Sequence, residues 1–154
     1  MIGQDDSAPR GPHPLVASRL GYLLKHTQLR FAELTSTALA PYGIDGREFA
    51  VLLSLEAEAP LSQREAARRL RIDRTTMVAL LDGLEAKGVV ERSTNEQDRR
   101  KNVVTLSPKG RDIRRRATRT VDALERRFLS PLSDDDVNRF RKALRRLALP
   151  NEKE

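Results

Sequence analysis

From Ser62 to Leu106 the sequence sets structural signals in an order that few folds accept. Ser62-Gln63-Arg64-Glu65 places a serine and a glutamate at capping-box spacing, and Ala66, Ala67 and Leu70 give the two turns that follow a small apolar face. Arg71-Ile72-Asp73 is a short link, after which Asp73 caps a second helix whose Met77, Leu80, Leu81 and Leu84 recur at i, i+3, i+4 and i+7. Gly88 supplies the stop at C′. Two segments rich in β-branched residues follow, Val89-Val90-Glu91-Arg92 and Asn102-Val103-Val104-Thr105-Leu106, on either side of the polar loop Ser93 to Lys101. A short helix, a tight link, a longer helix and a β-hairpin is the layout of a winged helix-turn-helix.

Helical periodicity continues on both sides of this segment. Upstream, Leu20, Leu23, Leu24, Thr27, Phe31, Leu34 and Ala38 share one face of a helix predicted from about Pro14 to Ala40, stopped by Pro41 and Gly43. A shorter helix is predicted from about Gly46, with Phe49, Leu52 and Leu53 inward and Pro60 as its end. Downstream, Ser107-Pro108 opens a long helix with Ile113, Ala117, Val121, Leu124 and Phe128 inward, broken at Pro131. Ser133 with Asp134, Asp135 and Asp136 caps a last helix bearing Val137, Phe140, Leu144 and Leu147 on its apolar side. The first, fifth and last helices carry more apolar side chains than a small central core requires, so two chains packing these stripes together would form a two-fold dimer. The expected fold is mainly α with a small β-wing. A winged helix-turn-helix (46–106) is flanked by dimerisation helices (14–41 and 107–148) in one domain over 14–148, with tails at 1–13 and 149–154.

In a chain of 154 residues, 29 Lys and Arg against 22 Asp and Glu leave a formal charge of +7. The resulting pI near 10.3 points to a polyanionic partner, nucleic acid first and an anionic membrane surface second. No cysteine is present, which excludes a disulfide framework, a thiol nucleophile and a thiolate metal site and favours a cytoplasmic address. The longest apolar stretch, Phe49 to Leu55, falls far short of the ~20 residues that span a bilayer. The start, MIGQDDSAPRGPHP, lacks the basic and apolar regions of a signal peptide. His13 and His26 sit in no metal-ligand or nucleophile motif, and Gly83 to Gly88 lies inside a helix without the strand that a phosphate loop needs. Asp134 to Asp136 reads as helix capping, not as an acid/base pair. Neither an enzyme nor a bound metal or cofactor is expected.

The helix from Arg74 to Lys87 keeps Arg74, Thr75, Thr76, Val78, Ala79 and Asp82 off its core stripe and available to a major groove. Arg74 suits guanine edges or phosphate, Thr75 and Thr76 suit bases or phosphates, and Val78 and Ala79 suit thymine methyl groups. Ser62, Gln63 and Arg64, opening the preceding helix, join them as candidate DNA contacts. At the hairpin tip, Arg99, Arg100 and Lys101 beside Asp98 suit the negative potential of a narrow minor groove. A further basic run, Lys109, Arg111, Arg114, Arg115, Arg116, Arg119, Arg126 and Arg127, is expected to be at least half solvated helix face, the rest lying near flanking phosphates.

Two stretches, LSQREAARRLRIDRTTMVALLDGLEAKGVVER (Leu61 to Arg92) and DRRKNVVTLSPKG (Asp98 to Gly110), resemble the multiple-antibiotic-resistance regulator (MarR) family of bacterial transcription factors. The likeness covers roughly residues 14 to 148. It implies a homodimeric repressor on a palindromic operator, often released by a small organic ligand. It also implies a groove-inserting arginine at Arg100, oriented by Asp98. The effector pocket of the family lies between the dimerisation helices and the winged helix, here Tyr22 to Phe31, Tyr42 to Arg47 and the start of the fifth helix. His26, Arg30, Tyr42 and Arg47 are the residues there that suit a phenolic or carboxylate ligand. Many members carry a polar residue and an arginine where this chain has Val78 and Ala79, so no operator sequence transfers. A basic protein that coats or bends DNA with little sequence preference is the alternative reading.

Overall fold

The computed structural model describes residues 11–55, 61–94 and 102–149. Its elements are α1 (Pro14–Ala17), α2 (Leu20–Leu39), a 3-10 turn (Ala40–Tyr42), α3 (Gly46–Ser54), β1 (Leu61–Ser62), α4 (Gln63–Leu70) and α5 (Arg74–Ala86). Then come β2 (Val90–Thr94), β3 (Asn102–Leu106), α6 (Pro108–Phe128) and α7 (Asp134–Ala148). The chain divides into two compact units between Glu33 and Leu34, a boundary that α2 crosses. No helix among the described residues is long and apolar enough to cross a membrane.

In the N-terminal unit the expected continuous helix from Pro14 is broken at Ser18 and Arg19. Ser18 Oγ donates to the Leu15 carbonyl at 3.2 Å and Arg19 N–H to the Val16 carbonyl at 3.0 Å. This side-chain competition and tight last turn end α1 before α2 begins. His13, expected in the tail, caps α1 by accepting the Leu15 N–H at Nδ1. Leu15, Leu20, Leu23, Leu24 and Leu29 are all exposed.

The larger unit holds the core. Met77, Leu81 and Leu84 of α5 pack in it with Leu39, Val51, Leu52, Leu55, Ala66, Val89, Val90, Val104, Ile113 and Ala117. Asp45 and Glu48 form a full capping box on α3, fixing that helix so that Glu48, Val51, Leu52 and Leu55 face inward. Leu53, expected inward, is therefore 51% exposed, because it lies about 100° round the helix from Leu52. On α6, Ile113, Ala117 and Val121 are buried as expected, while Leu124 and Phe128 are only half-buried. The apolar side of α7 is exposed at Phe140, Leu144 and Leu147.

The sheet has three strands, ordered β1-β3-β2 and antiparallel throughout, not the two of a simple hairpin. β3 pairs Val104 with Arg92 on one side and with Leu61 on the other, so its second edge is covered by β1. The first hairpin strand runs Val90–Thr94, shifted from the expected Val89 to Arg92, because Val89 N–H bonds the Leu84 carbonyl and belongs to the end of α5. Pro60, and the wing tip with Asp98, Arg99, Arg100 and Lys101, lie outside the described residues.

Candidate nucleic-acid interface

The link between α4 and α5 is tight because Arg71 takes a left-handed conformation, φ 53°, at the α4 C-cap. Non-glycine residues seldom adopt it. Ile72 N–H then bonds the Ala67 carbonyl, and Asp73 begins α5. Asp73 Oδ1 accepts the Thr76 N–H at 2.9 Å and Oδ2 accepts the Thr76 hydroxyl at 2.6 Å. The Thr76 hydroxyl, followed by its N–H, holds the Asp73 carboxyl below the usual carboxylate range. Thr76, expected to contact DNA, thus spends its hydroxyl proton on the cap.

Opposite the buried stripe, Arg74, Thr75 and Ala79 are exposed and Val78 is half-buried. Asp82 is exposed but engaged. Arg92 of β2 donates from Nη2 to Asp82 Oδ1 at 2.6 Å, and its Nη1 lies 3.6 Å from Glu85 Oε2. This guanidinium clamps the wing strand to α5, and its Nε is buried without a hydrogen-bond partner among the described residues.

Glu48 holds the far end of α5. It is 7% exposed and accepts Lys87 Nζ at 2.6 and 2.8 Å and the Asp45 N–H at 3.0 Å. Lys109 Nζ in turn donates to the Lys87 carbonyl at 2.7 Å. Neither Glu48 nor Lys87 was singled out from sequence, although the Asp45-x-x-Glu48 spacing signals a capping box.

Ahead of α5, Ser62 Oγ caps α4 by accepting the Glu65 N–H at 3.1 Å. The expected reciprocal bond does not form, because the Glu65 carboxylate pairs with Arg68 and Arg69 instead. The Arg68 guanidinium foremost holds Glu65 below its ordinary value. Gln63 is half-buried and Arg64 exposed.

Several arginines of α6 have internal roles. Arg111 donates to the Leu106 carbonyl at 2.8 Å, Arg114 to the Leu55 carbonyl at 2.7 Å, and Arg115 and Arg116 pair with Asp112. Arg119, Arg126 and Arg127 are exposed.

Of the four candidate effector residues, His26 and Arg30 belong to the N-terminal unit and Tyr42 and Arg47 to the larger one. In the N-terminal unit the His26 ring stacks on Tyr22 at 4.0 Å, and Arg30 lies one turn further along α2. Tyr42 faces α6, its hydroxyl 2.6 Å from Thr120 Oγ1 and its ring under Arg116. Arg47 instead lines an open cavity of about 410 Å³ with Leu70, Arg71, Ile72, Asp73 and Leu80.

The MarR family model matches residues 42–101. The HTH-type transcriptional repressor Rv2887 of Mycobacterium tuberculosis is 32% identical over 128 residues, 83% of this chain and 92% of that protein. A structure of the transcriptional repressor CouR bound to a 23-mer DNA duplex matches with a TM-score of 0.83 at 34% identity, covering 90% of this chain and 99% of the other. CouR from Rhodococcus jostii RHA1 bound to p-coumaroyl-CoA matches with a TM-score of 0.79 at 30% identity, over 92% and 100% of the two chains. On a sequence relationship that spans most of both proteins, and on a winged helix-turn-helix shared with these structures, the chain belongs to the MarR family of transcriptional regulators.

Proposed function

We propose that this chain is a DNA-binding transcriptional repressor that acts as a homodimer on a pseudo-palindromic operator. α5 enters the major groove and the wing, with Arg100 at its tip and Asp98, Arg99 and Lys101 beside it, enters the adjacent minor groove. The observation that carries this reading is the two-sided character of α5. Met77, Leu81 and Leu84 seat it in the core, while Arg74 and Thr75 stand exposed in its first turn. Ser62, Gln63 and Arg64 at the start of α4 lie within the same helix-turn-helix and suit flanking phosphates. The DNA duplex held by CouR supports the choice of ligand.

Dimerisation is supported by the exposed Phe140, Leu144 and Leu147 of α7 and by the exposed leucines of α2, faces that a monomer leaves in water. It would set two copies of α5 about 34 Å apart on one side of the DNA. A small organic effector is supported by the p-coumaroyl-CoA bound to CouR. The candidates for its phenolic or carboxylate end are Arg47, at the cavity beside Asp73, and Tyr42 in the larger unit, and, in the N-terminal unit, His26 and Arg30.

The test is affinity for the DNA upstream of the chain's own gene against random duplex at fixed salt, since phosphate contacts alone bind both. Arg74→Ala and Thr75→Ala should weaken the specific complex more than the non-specific one, each by about 1 to 3 kcal/mol. Arg100→Ala should weaken binding without unfolding the chain. Equal affinity of the unaltered protein for both duplexes would instead identify a sequence-indifferent DNA-coating protein.

A further inference from the structure

We propose that the middle of each operator half-site is read through thymine methyl groups by Val78 and Ala79, with hydrogen-bonded base reading confined to Arg74 and Thr75. The inference rests on α5 being the reading helix and goes beyond it by naming the kind of base that the helix prefers. The structure takes most polar side chains of α5 out of use. The Thr76 hydroxyl donates to Asp73, Asp82 and Glu85 are turned to Arg92, and Lys87 is held by Glu48. Past the first turn, no other exposed or half-buried position of α5 carries a polar side chain, and Val78 and Ala79, one turn on from Arg74 and Thr75 and on the same face, offer only methyl groups.

The consequence is chemical. A purine edge in the major groove presents N7 with N6 or O6, and cytosine presents its N4 amine. Pressed against Val78 and Ala79, these groups lose water and gain no partner, which disfavours them. Thymine also presents O4, but beside it stands the C5 methyl, and burying that methyl between two alkyl side chains gives an offset that the other bases lack. Arg92 also offsets the negative charge of Asp82, which would otherwise repel the DNA backbone from this face. Selectivity then comes from rejection of the other bases as much as from attraction to thymine.

The experiment begins by selecting binding sequences with the full-length protein from a duplex library with a randomised core, at fixed salt. Each thymine of the enriched sequence is then replaced by deoxyuridine, which removes the methyl and leaves every hydrogen-bonding group in place. At the mid-half-site thymines each replacement should raise Kd about fourfold, the equivalent of one buried methyl. The slope of affinity against salt should not change, because no phosphate contact is lost. Val78→Ala should shrink the deoxyuridine effect at the position facing residue 78, so the two losses should not add. An enriched sequence that tolerates deoxyuridine everywhere, or that lacks thymine in the middle of its half-sites, overturns the methyl reading alone. A library that yields no enriched sequence overturns the sequence-reading role of α5 and this inference with it.

Discussion

Replacing Gly110 with alanine sets two physical effects of opposite sign against each other. Gly110 lies in the first turn of α6, and helix propensity alone favours alanine over glycine by up to about 1 kcal/mol. A Cβ at this position, however, would fall 2.0 Å from the Val89 carbonyl oxygen and 3.0 Å from its carbon. That is about 1 Å inside the shortest contact a methyl carbon makes with a carbonyl oxygen. Relief requires backbone to move. Ser107, the N-cap of α6, donates from Oγ to the Gly88 carbonyl at 2.7 Å and from its N–H to the Val89 carbonyl at 3.1 Å, so lifting α6 stretches both bonds. Overpacking typically costs about 1–3 kcal/mol, and a clash with backbone at a bonded junction belongs at the top of that range. The net expectation is a loss of about 2 kcal/mol, or roughly 4–8 °C in Tm for a domain of this size. Urea unfolding followed by circular dichroism, at fixed protomer concentration, measures it. Gly83→Ala is the control, since there the nearest atom to a new Cβ is Glu48 Oε1 at an ordinary 3.6 Å, and stability should hold or rise. A Gly110→Ala protein as stable as the parent would refute the reasoning.

Three further outcomes follow from the same geometry. Glu48→Ala strands Lys87 and removes half of the α3 capping box; because Lys87 is 41% exposed and rehydrates in part, the loss should sit near the lower end of the cost of breaking a buried pair, about 3 kcal/mol, with Glu48→Gln losing less, and a stable Glu48→Ala protein in urea would contradict it. The Asp73 carboxyl titrates below its unfolded value, so its stabilisation is complete above about pH 4 and disappears as pH falls through the lower folded value. The gap in urea midpoint between the parent and Asp73→Asn should therefore close in acid, and a gap constant from pH 7 to pH 3 would show that the carboxylate charge does not matter. Removing residues 133 to 154 should leave a chain that sediments mainly as a monomer and binds operator DNA weakly, whereas a stable truncated dimer would exclude α7 from the interface.

Local physics made much of this protein legible in its sequence. Ser62, Asp73, Ser107 and Ser133 each stand before a helix and each accepts the N–H three residues on. Gly88 takes φ +66° where a helix stop needs it, and Met77, Leu81 and Leu84 are buried as their spacing requires. These features depend on bonds and periods within one or two turns, which residue order encodes directly. The family resemblance rested on the same stretch, and the winged helix-turn-helix followed from it.

What the tertiary structure decided lies between residues far apart in the chain. β1 is a two-residue strand with no periodicity to betray it, formed because β3 had an edge to cover. Leu53 is as apolar as Leu52, and only the phase of α3 against the core put one in water and the other inside. Glu48 meets Lys87 across 39 positions of sequence, and Arg92 reaches back across 10 to Asp82. Whether Asp82 faces DNA or a neighbouring side chain depended on such a partner, and residue spacing carries no record of which distant side chain folding will bring within 3 Å.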